Sequence, residues 1–239
     1  MRPLALAYHA IGTRAVREDP HGLFVSWARL RRHVAWLQAR GYSLVTFGEL
    51  VARGDDGLCA LTFDDGFESC SALAELGVPA TVFVTTGWLG GWHPDVADAA
   101  MLSEDGVRRL HAAGVEIGAH TATHPDLTTL GFDAARDELA SARLSLESLL
   151  EAPVTSAAYP YGRATAETVQ ACAAAGFSAA CRTSGLGSSS TPLDYPREDM
   201  DGPASLLGLR LKAAGRYEPL MRARAARGVR RAGRQVRRP

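Results

Sequence analysis

Short β-prone apolar runs, each followed by a turn and a stretch of helical spacing, recur about seven times along the 239 residues of this chain. The runs are Leu4 to His9, Tyr42 to Val45, Leu58 to Phe63, Ala80 to Thr85, Val115 to Ala119, Val154 to Tyr159 and Phe177 to Cys181. Between them, Ser26 and Thr46 cap two helices, Gly66 to Leu76 looks helical, and Ser103 opens a helix that stops at Gly114. Phe132 to Leu150 is the clearest helix, and another runs from about Thr165 to Ala175 and stops at Gly176. Alternation of this kind calls for a mainly parallel sheet covered by helices. A chain of this length fits a closed or partly closed barrel at least as well as an open sheet.

A hydrophobic content of 46% supports a sizeable core, and no Pro/Ser-rich linker divides it, so residues 1–209 are expected to form one domain. The formal net charge of +0 conceals an asymmetry. Residues 210–239 hold 11 of the 26 Lys and Arg but 1 of the 26 Asp and Glu, so a body of net charge −10 carries a tail of +10. The body offers no basis for nucleic-acid binding. The tail reads as a solvated or partner-dependent segment, helical or disordered, with weak contact to an anionic membrane surface as a minor alternative. The four cysteines form no C-x-x-C pair; buried free thiols are expected, with a Cys172–Cys181 bridge left open. The apolar run at the N-terminus is too short for a signal peptide, and no stretch approaches a membrane span, so the cytoplasm is the expected location.

Polar clusters fall where the strands end. Asp64 and Asp65 follow Leu58 to Phe63, His9 ends the first run, His120 and His124 follow Val115 to Ala119, and Tyr161 follows Val154 to Tyr159. In a parallel α/β fold these ends share one face, where catalytic groups collect. Two adjacent carboxylates repel each other, so a site holding both ionised needs a cation or a shifted pKa. Two histidines and a carboxylate form a familiar divalent-metal set that leaves positions open. With Asp65 or Asp64 as the third ligand, the other carboxylate is free to act as a base. Pro125 disfavours helix at His124, so this His-x-x-x-His segment is expected to be a loop.

At these residues the sequence resembles the polysaccharide deacetylase family, the carbohydrate esterases that share the chitooligosaccharide deacetylase homology domain. Thr62-Phe63-Asp64-Asp65-Gly66, His120-Thr121-Ala122-Thr123-His124 and Tyr159-Pro160-Tyr161-Gly162 are similar to its first three motifs, in order. The resemblance implies a distorted (β/α) barrel of about seven strands and hydrolysis of an N-acetylated amino sugar. It makes Asp64 the general base and Asp65, His120 and His124 the ligands of one divalent ion: zinc, or alternatively Co2+, Ni2+ or Mn2+. The backbone N–H of Tyr161, next to Pro160, would help hold the oxyanion. No histidine follows His124 to serve as the late general acid of the commonest pattern. Tyr8-His9 looks like the amino-terminal Tyr-His of the poly-N-acetylglucosamine deacetylase branch, in which that motif is permuted to the front, and this makes His9 the acid. Ala157-Ala158 stands where many members carry an arginine, and Arg197 is the candidate to replace it.

Trp88 and Trp92 are candidates for stacking on sugar rings or for packing over the barrel mouth. His21, His33, His93 and His111 have no partner legible in the sequence. Two competing readings stay open: a non-catalytic glycan-binding or scaffold protein on the same fold, and a hydrolase of another linear or cyclic amide. Oligomeric state is not legible.

Overall fold

The computed structural model describes residues 1–15, 18–19, 21–183, 191–201 and 205–217. It divides into two compact units, Met1–Pro203 and Ala204–Pro239.

The first unit begins with β1 (Leu4–Tyr8), β2 (Ala10–Ile11), β3 (Phe24–Val25), α1 (Trp27–Ala39), β4 (Ser43–Val45) and α2 (Phe47–Arg53). It continues through β5 (Leu58–Phe63), a 3-10 stretch over Glu68–Glu75, β6 (Thr81–Val84), α3 (Glu104–Ala112) and β7 (Glu116–Ala119). Then come α4 (Phe132–Leu150), β8 (Ser156–Ala158), α5 (Ala166–Ala174), β9 (Ala179–Thr183) and β10 (Tyr195–Asp199). Strands β1, β10, β9, β8, β7, β6 and β5 pair in that order, every pair parallel, and β5 pairs back onto β1. The result is a closed barrel of seven strands.

β4 lies outside the ring. β1 occupies one edge of β5 along Cys59–Phe63, so β4, paired at Leu58–Ala60, and β6, paired at Thr62–Phe63, must share the other edge. This split distorts the barrel. Below the sheet, Phe47 at the start of α2 packs edge-on against Phe83 of β6 and Tyr195 of β10 and closes the N-terminal end. The Glu116 carboxylate accepts bonds there from Gly48 N, Thr81 Oγ1 and Ser156 Oγ, so both oxygens of a half-buried charge have partners.

Ser26, Thr46, Ser103 and Thr165 each accept the bond that caps a helix. Three elements depart from sequence expectation. Glu68–Glu75 forms 3-10 turns rather than an α-helix. β2 and β3 pair within the expected loop. β10 carries Tyr-Pro-Arg-Glu-Asp, a composition without strand character, and is held by parallel partners on both edges. All four cysteines are free and buried, so the Cys172–Cys181 bridge does not form.

The second unit contains α6 (Leu206–Ala213), capped by Ser205. The Ser/Gly-rich residues 184–190 and the Arg-rich residues 218–239 lie outside the described residues. Among the described residues no helix is long and apolar enough to cross a membrane.

Candidate active site

All the predicted site strands end at one mouth of the barrel. His9, Asp64, Asp65, His120, His124 and Tyr161 line one cavity of about 690 Å³ there. That volume lies within the usual range of small-molecule sites. Backbone bonds tie the strand ends together: Asp64 N donates to Tyr8 O, Thr85 N to Asp65 O, and His120 N to Val84 O.

The two carboxylates have different surroundings. Asp64 is gripped by Arg197, whose Nη1 and Nη2 donate to Oδ1 and Oδ2, each at 2.6 Å, while Nη1 also reaches Thr62 Oγ1 at 2.8 Å. Arg197 is fully buried and is delivered by β10. Burial would raise the Asp64 pKa, but the guanidinium outweighs it and holds the carboxyl below its ordinary range. Much of the cation demanded by the carboxylate pair therefore comes from Arg197.

Asp65 faces histidines. His120 Nε2 and His124 Nε2 each lie 3.4 Å from Oδ1, and the three ligand atoms fall within 4.8 Å of one another. His120 Nδ1 is 2.9 Å from Ala158 O. A carbonyl can only accept, so Nδ1 carries the proton and Nε2 turns a lone pair toward a carboxylate oxygen. Protonating His120 would relieve that opposition, but burial pushes its pKa down to about 4. Two facing lone pairs in a buried site fit a divalent cation between them. Burial would raise Asp65 too, but the nearby imidazoles of His124 and His93 hold it well below the usual carboxylate range.

The His120–His124 segment is a loop, as expected where Pro125 disfavours helix at His124, and it is anchored by α4. Glu138 accepts from Ala122 N, Thr123 N and Thr123 Oγ1, and Thr121 Oγ1 accepts from His124 N. Asp65, Thr121, His124 and Tyr161 all have φ between 57° and 70° although none is glycine. Such strain gathers at functional sites. Tyr161 packs edge-on against His124 and is followed by Gly162 at φ +63°, where a Cβ would lie 1.6 Å from Thr183 Oγ1. Buried Pro160 opens this turn.

His9 Nδ1 lies 2.9 Å from Asp201 Oδ1. Burial alone would lower the His9 pKa; the Asp201 carboxylate overrides it and raises the value to about 10. Burial pushes Asp201 up to about 6, so the pair is ionised at neutral pH. Asp201, Glu138 and His93 are site residues that sequence reasoning missed. Asp201 had a faint signal in the acidic residues after Arg197; Glu138 had none in a helix rich in charge. Trp88 sits 4.9 Å from His93 and from His124, packing the site, whereas Trp92 is 66% exposed and does not line the cavity. His21 lines the cavity, and buried His33 bonds to Tyr8 Oη.

A seven-stranded parallel barrel with a carboxylate–histidine cluster at its C-terminal mouth places the chain among (β/α) barrel proteins with a candidate metal site. Residues 52–180 match the polysaccharide deacetylase family, and the chain belongs to that family. It is 26% identical over 183 residues to YxkH of Bacillus subtilis, provisionally named a polysaccharide deacetylase, covering 72% of this chain and 61% of that one. It is 39% identical over 110 residues to the chitooligosaccharide deacetylase of Rhizobium leguminosarum bv. trifolii, covering 43% and 45%. The chain thus spans about half to three fifths of these curated relatives. Its fold is that of IcaB from Ammonifex degensii, with a TM-score of 0.73 at 21% identity over 90% of this chain and 97% of that one.

Proposed function

We propose that this chain is a divalent-metal-dependent hydrolase that removes N-acetyl groups from an amino sugar in a polysaccharide or glycoconjugate. The observation that carries the reading is a division of labour around one cavity: a carboxylate fixed by Arg197, an Asp–His–His cluster with the spacing of a cation site and an imidazole paired with a carboxylate. Asp65, His120 and His124 would hold the ion, zinc being the first choice for two imidazoles and a carboxylate. When bound, the ion supplies Lewis-acid polarisation of water and of the acyl carbonyl.

The chain's own residues supply the proton transfers. Asp64, held ionised with both oxygens on Arg197, takes a proton from the attacking water. The bidentate grip fixes the carboxylate in one orientation. The Tyr161 N–H, carried on the strained turn before Gly162, is the candidate donor to the oxyanion. Asp201 can only accept, so His9 donates Nδ1–H to it, and the raised pKa keeps a second proton on Nε2 for the departing nitrogen.

Acetate release from a panel of N-acetylated glycans, run with metal analysis, tests this. Asp64→Asn and His9→Ala are expected to lose on the order of 10²–10⁴-fold in turnover while keeping the metal. His120→Ala is expected to lose the metal. Full activity in Asp64→Asn would remove the catalytic assignment. Glycan binding without acetate release in the wild type would favour a glycan-binding protein, and release from a different amide would redirect the substrate.

A further inference from the structure

His93 sits in the long segment between β6 and α3, outside every motif that marks the site. Its position is nevertheless closely built. Its backbone N donates to Ala99 O, Met101 N donates to Gly91 O, and Gly90 N donates to Leu102 O, so the segment is laced across its base. The imidazole stacks on Phe67 with centroids 5.0 Å apart and an interplanar angle of 5°, and Trp88 packs edge-on at 4.9 Å. The side chain is 7% exposed.

The two ring nitrogens have distinct partners. Nδ1 lies 3.1 Å from Asp95 N, and a backbone N–H can only donate, so Nδ1 presents its lone pair. In the neutral ring the proton is then on Nε2. That atom faces Asp65 Oδ2 at 3.5 Å, within ion-pair range and somewhat longer than an ordinary hydrogen bond. His120 shows the opposite arrangement, with its proton on Nδ1 toward Ala158 O and a lone pair on Nε2 toward Oδ1. Asp65 Oδ1 therefore faces the His120 lone pair while Oδ2 faces a proton donor.

We propose that His93 is a positioning residue for the metal site: its Nε2–H holds Asp65 Oδ2 and so orients Oδ1 toward His120 and His124. With its lone pair engaged by Asp95 N, His93 is not a fourth ligand. The proposal rests on the reading of Asp65, His120 and His124 as metal ligands. Partners of this kind are worth about 10–100-fold in metal affinity.

Zinc affinity of the full chain, measured by competition with a chromophoric chelator, tests the role. His93→Phe keeps a ring against Phe67 and Trp88 but has no donor; His93→Gln keeps an N–H but loses the ring. The expected result is a loss of about 10–100-fold in His93→Phe and recovery of most of it in His93→Gln. Wild-type affinity in His93→Phe, or a loss in His93→Gln equal to that in His93→Phe, would overturn the positioning role and leave the three-ligand site standing. A wild-type chain that binds no zinc would overturn the metal reading and this role with it. Long-range 1H–15N spectra of the wild-type imidazoles need no variant: a neutral His93 protonated at Nε2 is expected, and protonation at Nδ1 overturns the proposal.

Discussion

His9 and Asp201, 192 positions apart in the chain, meet with Nδ1 and Oδ1 at 2.9 Å because the register of β1 on β10 brings them level. Ala7 is the register partner of Asp199, and Met200 N donates to Ala7 O. Two residues further on, each strand has left the sheet, and the two side chains face each other at the barrel mouth.

Under the proposed mechanism His9 must be protonated to act as the acid, so activity should be lost on the alkaline side as His9 gives up its proton. With Asp201 present that occurs near pH 10. In Asp201→Asn the carboxylate that raises His9 is gone, and the alkaline limb of kcat/KM should move down toward the ordinary histidine value of 6.5. Metal content should not change. A limb that stays in place would show that His9 is not the titrating acid.

Arg197→Met leaves the Asp64 carboxylate buried without its cation. Removing one partner of a buried ion pair costs about 3–5 kcal/mol, which denaturant melts at pH 7 would read. Because Asp64 is held below its ordinary value of 3.8, its contribution to stability is present above that pH and lost as pH falls through the depressed value. The variant should therefore differ most from wild type near neutrality and converge with it in acid. Its acid limb of activity should move upward.

Glu138→Ala removes the acceptor for Ala122 N, Thr123 N and Thr123 Oγ1. Ala122 N keeps its backbone bond to Glu138 O and the Thr123 donors are exposed to water, so the cost to global stability should be below about 1 kcal/mol. The substitution also frees the loop that carries His124, so metal affinity should fall even though no ligand is touched. Chelator competition and thermal melts on the same preparation would show both effects.

Gly162→Ala forces a Cβ to within 1.6 Å of Thr183 Oγ1 at a backbone angle of φ +63°. Either β9 or the Pro160–Gly162 turn must move. The expected outcome is a fall in kcat with metal affinity retained, because the turn carries Tyr161 and no ligand. Steady-state kinetics beside a zinc titration would separate the two.

The barrel was legible because its strands are short apolar runs and its helices carry Ser and Thr caps, both local signals. The Asp64-Asp65 pair and the His120–His124 pair were legible for the same reason: each lies within a few residues of a strand end. β10 was not legible, since Tyr-Pro-Arg-Glu-Asp reads as a polar loop and becomes a strand only because β1 and β9 complete its hydrogen bonds. His93 gave no signal, since a lone histidine in a glycine- and tryptophan-rich segment has no period to reveal its neighbour.

Local pattern thus determined six of the seven barrel strands and the candidate carboxylate–histidine set, because backbone propensity, capping and strand-end position are properties of adjacent residues. Tertiary structure decided which partner each charged group acquired. Arg197 reached Asp64, Asp201 reached His9, and Glu138 reached the histidine loop through register and helix packing across 133, 192 and 15 to 16 positions. These partnerships set the protonation of the site, and protonation depends on distance in space and burial, which no stretch of sequence encodes by itself.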